Sequence, residues 1–172
     1  MSELVVSDLR ASVQGKEILR GIDLINPGSG AIAQPHPTIP GRPERHATEL
    51  AGIVTGSEGP GGMHGAAPGA SILPVRIAGW QPNAEGGYTV YSRTDQIIAG
   101  LESAVDPNGD GDTMDAARVA LVGVVEPYAS FPEGPLARAV AGATTLDVLV
   151  VVPAGNDGNA GPSFGSIAGP GG

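Results

Sequence analysis

The sequence has 172 residues, a formal net charge of −9 and no cysteine, and this length suits about one domain with a hydrophobic core. Nine basic residues against eighteen acidic ones argue against nucleic-acid binding, which needs a concentrated basic face. The lack of cysteine excludes disulfides and thiolate metal sites. No apolar run reaches the roughly 18 residues of a membrane span, and the charged start MSELVVSDLR lacks the apolar centre of a secretion signal. We therefore expect no membrane partner, and the compartment stays open.

Residues 1–24 are predicted to form a β-hairpin, with a turn at Gln14–Gly15 and a second strand over Lys16–Asp23. This stretch resembles the first hairpin of an ABC-type ATPase, most closely the ATPase subunit of iron–sulfur cluster assembly. We interpret it as a hairpin of different origin from residues 25–172. Such ATPases continue into a phosphate-binding loop that needs a lysine, and no lysine follows Lys16. The composition therefore excludes nucleotide hydrolysis of that kind, and a hairpin that binds no nucleotide is the alternative.

Residues 26–44 are predicted to form a loop, because five prolines between Pro27 and Pro43 preclude a helix or an inner strand. His36 lies between two of these prolines, and we expect a solvated side chain. The same expectation holds for His64 in a later Gly-rich stretch.

A helix followed by a strand is predicted next. Apolar residues recur at helical spacing in HATELAGIV, which predicts a helix over His46–Val54. Gly56 should close it, since glycine readily takes the left-handed conformation at a helix end. The apolar run Ser71–Ile77 is typical of a buried strand.

A second helix is predicted from Ser92 to Val105, with Ser92 able to cap its first turn. The segment that follows resembles the first half of a calcium loop, because oxygen ligands alternate and a glycine stands at the sixth position. The candidate ligands are Asp106, Asn108, Asp110, Asp112 and Asp115. A full loop has a bidentate glutamate at position twelve, where Ala117 stands here. An acidic connecting turn without a metal is the alternative.

The last predicted elements alternate between strand and helix. Arg118–Val125 predicts a parallel strand, Gly134–Thr145 a helix with proline in its first turn, and Asp147–Val152 a second buried strand. Such alternation indicates an α/β fold, with a parallel sheet flanked by helices. Ligands of these folds bind beyond the carboxyl ends of the strands, and Asn156 follows the last strand.

Two motifs resemble those of the subtilisin-like serine proteases, the subtilase family or peptidase family S8. The first is H-x-T-x-x-A-G-I-V-x-G from His46, continued by G-x-A-P-G-A-S-I-L-P-V-R, and the second is L-V-V-V-P-A-G-N-D-G around Asn156. The resemblance covers Gly21–Gly172 and implies a subtilisin-like fold that acts on a peptide or protein substrate. It implies that His46 is the general base, that the Asn156 amide donates to the oxyanion, and that Gly123 borders the substrate peptide.

Two parts of the family's catalytic machinery are not matched. The aspartate strand should end in D-T/S-G before His46, and Asp23 is the remaining candidate although a Leu-Ile-Asn-Pro sequence follows it. The nucleophile motif G-T-S-M-A-x-P is absent, and Ser166 follows Asn156 too soon, so we interpret Ser166 as a loop residue. We therefore expect an incomplete subtilisin-like fold, truncated on both sides and inactive alone. An exposed sheet would favour self-association.

Two other functions stay open from the sequence. One is a non-catalytic module that binds calcium or a peptide and reuses this half of the fold. The other is an ATP-binding accessory protein, which the N-terminal hairpin favours and the missing phosphate-binding loop contradicts.

Overall fold

The part of the chain that the structure describes contains three α-helices and eight short strands. The structure is a computed structural model that describes residues 21–126, 133–156 and 167–170, together with the backbone of residues 10–13 and 16–19. The helices are α1 (His46–Thr55), α2 (Thr94–Val105) and α3 (Pro135–Thr145). The strands are β1 (Arg10–Val13), β2 (Lys16–Leu19), β3 (Ile22–Asp23), β4 (Val75–Arg76), β5 (Gly79–Pro82), β6 (Tyr88–Tyr91), β7 (Val119–Leu121) and β8 (Leu149–Val151). Within these ranges no helix has both the length and the apolar character needed to cross a membrane.

The strands pair in twos. β1 with β2 and β5 with β6 form antiparallel hairpins, whereas β3 with β4 and β7 with β8 pair in parallel. A helix lies between the two strands of each parallel pair, in the orders β3–α1–β4 and β7–α3–β8. Parallel strands need such a crossover, because the chain must return to the end of the sheet where it started. The predicted α/β class is confirmed.

The chain divides into two compact units, residues 1–91 and residues 92–172. The first contains both hairpins and the β3–α1–β4 element, and the second contains α2 and the β7–α3–β8 element. The separate origin of residues 1–24 is not tested by this division and stays a prediction.

Apolar packing forms the core of the second unit. Helix α2 buries Ile97, Leu101 and Ala104, which recur at the spacing of one helix face. Helix α3 buries Leu136 and Ala143 and packs against α2. The remaining buried apolar side chains of the described part of this unit are Val122, Val148 and Ala168.

One face of the β7–β8 pair is open. The side chains on it are 43–61% exposed. They are Val119, Leu121, Leu149 and Val151. Apolar surface of this kind favours association, and self-association through it stays a prediction.

The most deeply buried side chains between residues 21 and 91 are polar. Asp23 and His36 are 5% and 8% exposed, and none of the apolar side chains between residues 21 and 91 is as deeply buried. Hydrogen bonds and ion pairs therefore carry more of the architecture of this unit than apolar packing does.

The helix predictions are confirmed, with two differences in mechanism. The capping position of α2 is Arg93 rather than Ser92. Helix α1 begins at His46, α2 begins two residues after Ser92, and α3 has Pro135 in its first turn. Gly56 ends α1 with φ −54°, so it does not use the left-handed conformation. Glycine is needed there because a Cβ would lie 2.5 Å from the carbonyl oxygen of Gly52.

Four strand predictions need correction. The buried strands predicted over Arg118–Val125 and Asp147–Val152 are regular only at β7 and β8, and one face of each is exposed. The predicted strand over residues 71–77 is regular only at β4. The predicted strand over residues 16–23 is divided at Gly21, where φ is +73° and the Pro74 carbonyl would lie 2.3 Å from a Cβ. β3 then pairs with β4 rather than continuing the hairpin. The predicted turn at Gln14–Gly15 lies outside the described residues.

The β5–β6 hairpin was not predicted. Its signal is the run YTVY, rich in β-forming residues, after a turn that contains two glycines. Asn83 closes that turn, because its side-chain oxygen Oδ1 accepts the N–H of Gly87 at 2.7 Å.

Candidate active site

His46 is the first residue of α1, and it is exposed. Arg45 precedes it in the capping position and supplies no side-chain hydrogen bond to the helix start. Glu49 donates its N–H to the Arg45 carbonyl at 2.9 Å and so begins the helical ladder. An exposed imidazole at a helix start can reach a substrate, which a general base requires.

Asn156 lies in the turn that follows β8, and it is exposed. Gly155 has φ +90°, and a Cβ at this position would lie 2.9 Å from the Cβ of Ala168. Ala168 also donates its N–H to the Ala154 carbonyl at 2.9 Å. These contacts fix the backbone directly before Asn156, whose side-chain amide is of the type that can donate to an oxyanion.

Gly123 lies just beyond β7 and is half-buried. Val122 donates its N–H to the Val151 carbonyl at 2.9 Å, which extends the pairing of β7 with β8. Further on, Glu126 and Gly169 exchange two backbone hydrogen bonds of 3.0 and 3.2 Å. The segment around Gly123 is therefore held on both sides.

The candidate residues are divided between the two units. Gly123 and Asn156 both follow strands of the β7–β8 pair, and parallel strands end at the same edge of a sheet. His46 belongs to the first unit. That His46 and Asn156 share one site stays a prediction.

Asp23 is committed to contacts within the first unit. Its side chain is 0% exposed and pairs with Arg76 at 3.1 Å. Its carboxylate also accepts the N–H groups of Ile25 and Asn26 at 2.8 and 2.9 Å. A catalytic aspartate must accept the N–H of the imidazole, so we interpret Asp23 as a structural residue.

Arg76 joins Asp23 to a second carboxylate. Its guanidinium donates to both oxygens of Glu44, at 3.0 and 2.9 Å, in the bidentate geometry that makes strong pairs. The hydrogen bond to Glu44 raises the pKa of Arg76 above its ordinary value, although burial opposes this. This network was not predicted from the sequence. The available signal is the arginine that closes the apolar run SILPVRI.

His36 contradicts the expectation of a solvated side chain. The ring is 8% exposed and packs edge-on against aromatic residues of β5 and β6, with Trp80 nearest at 4.5 Å between centroids. Its Nδ1 accepts the N–H groups of Thr38 and Ile39, each at 3.1 Å. The neutral ring therefore carries its proton on Nε2. The prediction was wrong because the β5–β6 hairpin, whose aromatic residues pack on the His36 ring, was not predicted. His64 is exposed, as expected.

The acidic segment after α2 forms a turn closed by its own hydrogen bonds. Asp106 accepts the N–H groups of Gly109, Asp110 and Gly111 at 2.8 to 3.1 Å. Asp112 caps the short 3-10 turn that follows. Within the described ranges no three His, Cys, Asp or Glu side chains form a ready metal site. These contacts suit a connecting turn.

Asp115 differs from the rest of this turn. Both its carboxylate oxygens are buried, and neither has a hydrogen-bond partner among the described residues. Burial raises the pKa of Asp115 above its ordinary value, and the charges of Asp110, Asp106 and Asp112 raise it further. A buried carboxylate without a partner is unfavourable, so a cation would be favourable at this position.

Comparison with known proteins gives consistent matches. The model of the subtilase family, Peptidase_S8, matches residues 33–172. The serine protease AprX of Bacillus subtilis (strain 168) is 33% identical over 130 residues, which are 73% of this chain and 27% of AprX. The major intracellular serine protease of the same strain is 34% identical over 114 residues, which are 66% of this chain and 30% of that protein. The chain thus spans less than a third of the length of either relative.

Proposed function

Since the chain belongs to the subtilase family, we propose that it forms part of a serine endopeptidase in which His46 and Asn156 act at the catalytic site. The observation that carries the proposal is the family match over residues 33–172, which includes both residues within their motifs. The start of α1 at His46 and the turn after β8 at Asn156 support it.

Each residue has a separate role in the proposed reaction. His46 accepts the proton of a serine nucleophile and returns it to the leaving amine. Asn156 donates its amide to the oxyanion, a contact whose loss in subtilisin costs about 10²–10³ in kcat. Gly123 borders the peptide, because a residue without a side chain lets the substrate backbone approach closely.

We further propose that the 172-residue chain hydrolyses no peptide bond by itself. The sequence lacks the G-T-S-M-A-x-P motif that carries the family's nucleophile, and the Asp23 carboxylate is occupied by Arg76. Removing the nucleophile alone costs about 10⁶ in kcat in subtilisin. An oxyanion donor without a nucleophile therefore gives no turnover that an ordinary assay detects.

A fluorophosphonate label and a peptide anilide assay test this statement. We expect neither labelling nor hydrolysis, and Ser166→Ala should change neither result. Labelling that disappears in Ser166→Ala would make Ser166 the nucleophile and overturn our interpretation of it as a loop residue.

Binding of an unreactive peptide tests the site itself. In an NMR titration with a peptide that carries a phosphinate in place of the scissile bond, an anionic oxygen stands where the oxyanion would form, and we expect shifts at the Gly123 amide and the Asn156 side-chain amide. Asn156→Asp removes the donor and should weaken binding, whereas Asn83→Asp, in the β5–β6 turn, should not. Shifts confined to residues far from Gly123 and Asn156 would contradict the proposed site.

A second function, calcium binding, is favoured by one observation, the buried carboxylate of Asp115 without a partner among the described residues. We propose that a calcium ion supplies the missing positive charge. Calcium takes six to eight oxygen ligands and accepts mixed sets of carboxylates, amide oxygens, carbonyls and water. The residues that would hold it are Asp106, Asn108, Asp110, Asp112 and Asp115. Some rearrangement is required, because several of these oxygens accept N–H groups of the turn.

Thermal unfolding with added calcium tests this second proposal. A ligand that binds only the folded state stabilises it by about 2.7 kcal/mol at a hundred times its Kd, so Tm should rise with millimolar calcium. Asp115→Asn should abolish the rise, and Asp95→Asn, an exposed carboxylate on α2, should retain it. An unchanged Tm in the wild-type chain would leave the acidic turn as the better account.

A further inference from the structure

A buried ion network joins three segments of the first unit. Arg76 lies on β4, Asp23 lies on β3, and Glu44 precedes α1 by two residues. The side chains of Arg76, Asp23 and Glu44 are 9%, 0% and 13% exposed. Solvent therefore screens these pairs much less than surface ion pairs.

Arg76 uses different parts of its guanidinium for its two partners. Nη1 donates to both oxygens of Asp23, at 3.2 and 3.1 Å. Nε and Nη2 form the planar fork on Glu44. Only arginine has donors in this fixed arrangement, whereas a lysine ammonium is a point charge on a flexible stem. The geometry thus fixes the direction as well as the distance of the Glu44 carboxylate.

Helix α1 has little apolar anchorage of its own. None of its ten residues is buried, and Ile53 is 67% exposed. Its last turn is tied to the following loop, because Ala66 and Ala67 donate N–H groups to the Ile53 and Val54 carbonyls at 3.0 and 2.7 Å. Glu44 lies two residues before His46, the first residue of α1.

We infer that Arg76 is a positioning residue. Its two hydrogen bonds to the Glu44 carboxylate fix the start of α1, and with it His46, against the β3–β4 pair. The catalytic importance of this role rests on the proposed function, in which His46 must reach the substrate. The positioning itself does not depend on that function.

Arg76→Lys distinguishes positioning from simple charge compensation. If Arg76 only neutralised Asp23, lysine would suffice and α1 would be unchanged. If the bidentate hydrogen bonds position α1, the lysine variant has a less stable first turn of α1. Arg42→Lys is the matched control, since Arg42 is exposed, belongs to the same unit and contacts the Trp80 face at 5.8 Å.

Amide exchange and the His46 ring signals provide the measurements. In Arg76→Lys the Glu49 amide should exchange about ten- to a hundredfold faster relative to the Asn83 amide, the factor that corresponds to lost hydrogen bonds to charged groups. The His46 ring resonances should shift or broaden, and Arg42→Lys should change neither readout. Trp80 fluorescence reports whether the unit is folded.

A second variant keeps the test decisive. If Arg76→Lys does not fold, Glu44→Gln weakens the same hydrogen bonds with a smaller change. The Glu49 amide should then also exchange faster. Unchanged Glu49 exchange and His46 signals in a folded variant would overturn the inference. Equal acceleration at Glu49 and Asn83 would also overturn it, since that result indicates general stability alone. Failure of the proposed function would appear instead as missing peptide shifts at Gly123 and Asn156.

Discussion

The two units of this chain contain the same element, two parallel strands joined through a helix, and hold it together by different means. The second unit buries apolar side chains of α2 and α3, which pack against each other, and α3 also packs against β8. The first unit buries a carboxylate pinned by an arginine and a histidine packed against aromatic rings. One topology can therefore be stabilised by non-directional burial or by directional polar contacts.

The stability of the two units should respond differently to substitution. Apolar packing loses stability in proportion to the buried volume removed, and the site can partly collapse. A buried ion network cannot collapse in this way, because one removed partner leaves an uncompensated charge behind. Single substitutions in each unit therefore test whether the two units are stabilised by different means.

The largest effect is expected for Arg76→Met. Removing one partner of a buried ion pair costs about 3–5 kcal/mol, and here Asp23 with a 0% exposed side chain would lose its counter-charge. Urea unfolding followed by Trp80 fluorescence measures the loss within the first unit. Arg42→Met is the control and should cost below about 1 kcal/mol, the value of an exposed cation–π contact. A loss for Arg76→Met as small as that of the control would show that the buried ion network does not stabilise the first unit.

The next effect is expected for Leu136→Ala in the second unit. Leu136 is 1% exposed, and truncating a buried leucine costs about 2–5 kcal/mol. Amide exchange of α2 and α3 measures the change in the free energy of opening. Leu146→Ala, at a 46% exposed site just after α3, should cost much less. Equal losses for the two leucines would show that the α2–α3 contact is not the centre of stability.

Apolar periodicity explains why the second unit was predicted well. Helices α2 and α3 follow from their apolar spacing, since burial repeats with the period of a helix. The strands β7 and β8 were predicted from continuous apolar runs, which indicate burial on both faces, whereas one face of this pair is exposed. His46 and Asn156 were named through family motifs; the structure places His46 at the start of α1 and Asn156 in the bend that follows β8.

Long-range polar pairing explains why the first unit was predicted less well. Arg76 contacts Asp23 and Glu44 across 53 and 32 positions of sequence, and no periodicity encodes such pairs. The burial of His36 was missed for the same reason, because the ring packs against Trp80, which is distant in sequence. The two-residue strands β3 and β4 are too short for a periodic signal. Ser166 lies outside the described residues, so its interpretation as a loop residue stays a prediction.

A smaller effect is expected for Gly155→Ala, next to Asn156. The backbone there has φ +90°, and a Cβ would lie 2.9 Å from the Ala168 Cβ. Forcing a residue with a side chain into the left-handed region costs about 1–2 kcal/mol, so the Ala168 amide should exchange faster. Gly142→Ala is the opposite control, because nothing lies within 4 Å of its Cβ position in α3. That change should stabilise by about 0.5–1 kcal/mol, and destabilisation there would contradict this account of the helix.

The smallest effect is expected for Asp115→Asn, and its sign depends on pH. The folded-state pKa of Asp115 is raised above its ordinary value of 3.8, first by burial and then by the neighbouring carboxylates. The ionised form therefore destabilises the folded state at neutral pH, and this penalty disappears as the pH falls through the raised pKa toward 3.8. Without calcium, Asp115→Asn should raise Tm at neutral pH and lose this advantage in acid. Asp95→Asn should act oppositely, because the hydrogen bond from Arg93 lowers the pKa of Asp95, so its contribution is present above 3.8 and lost as the pH falls. A Tm for Asp115→Asn that stays below that of the wild-type chain in calcium-free buffer at neutral pH would show that the Asp115 carboxylate has a partner in solution.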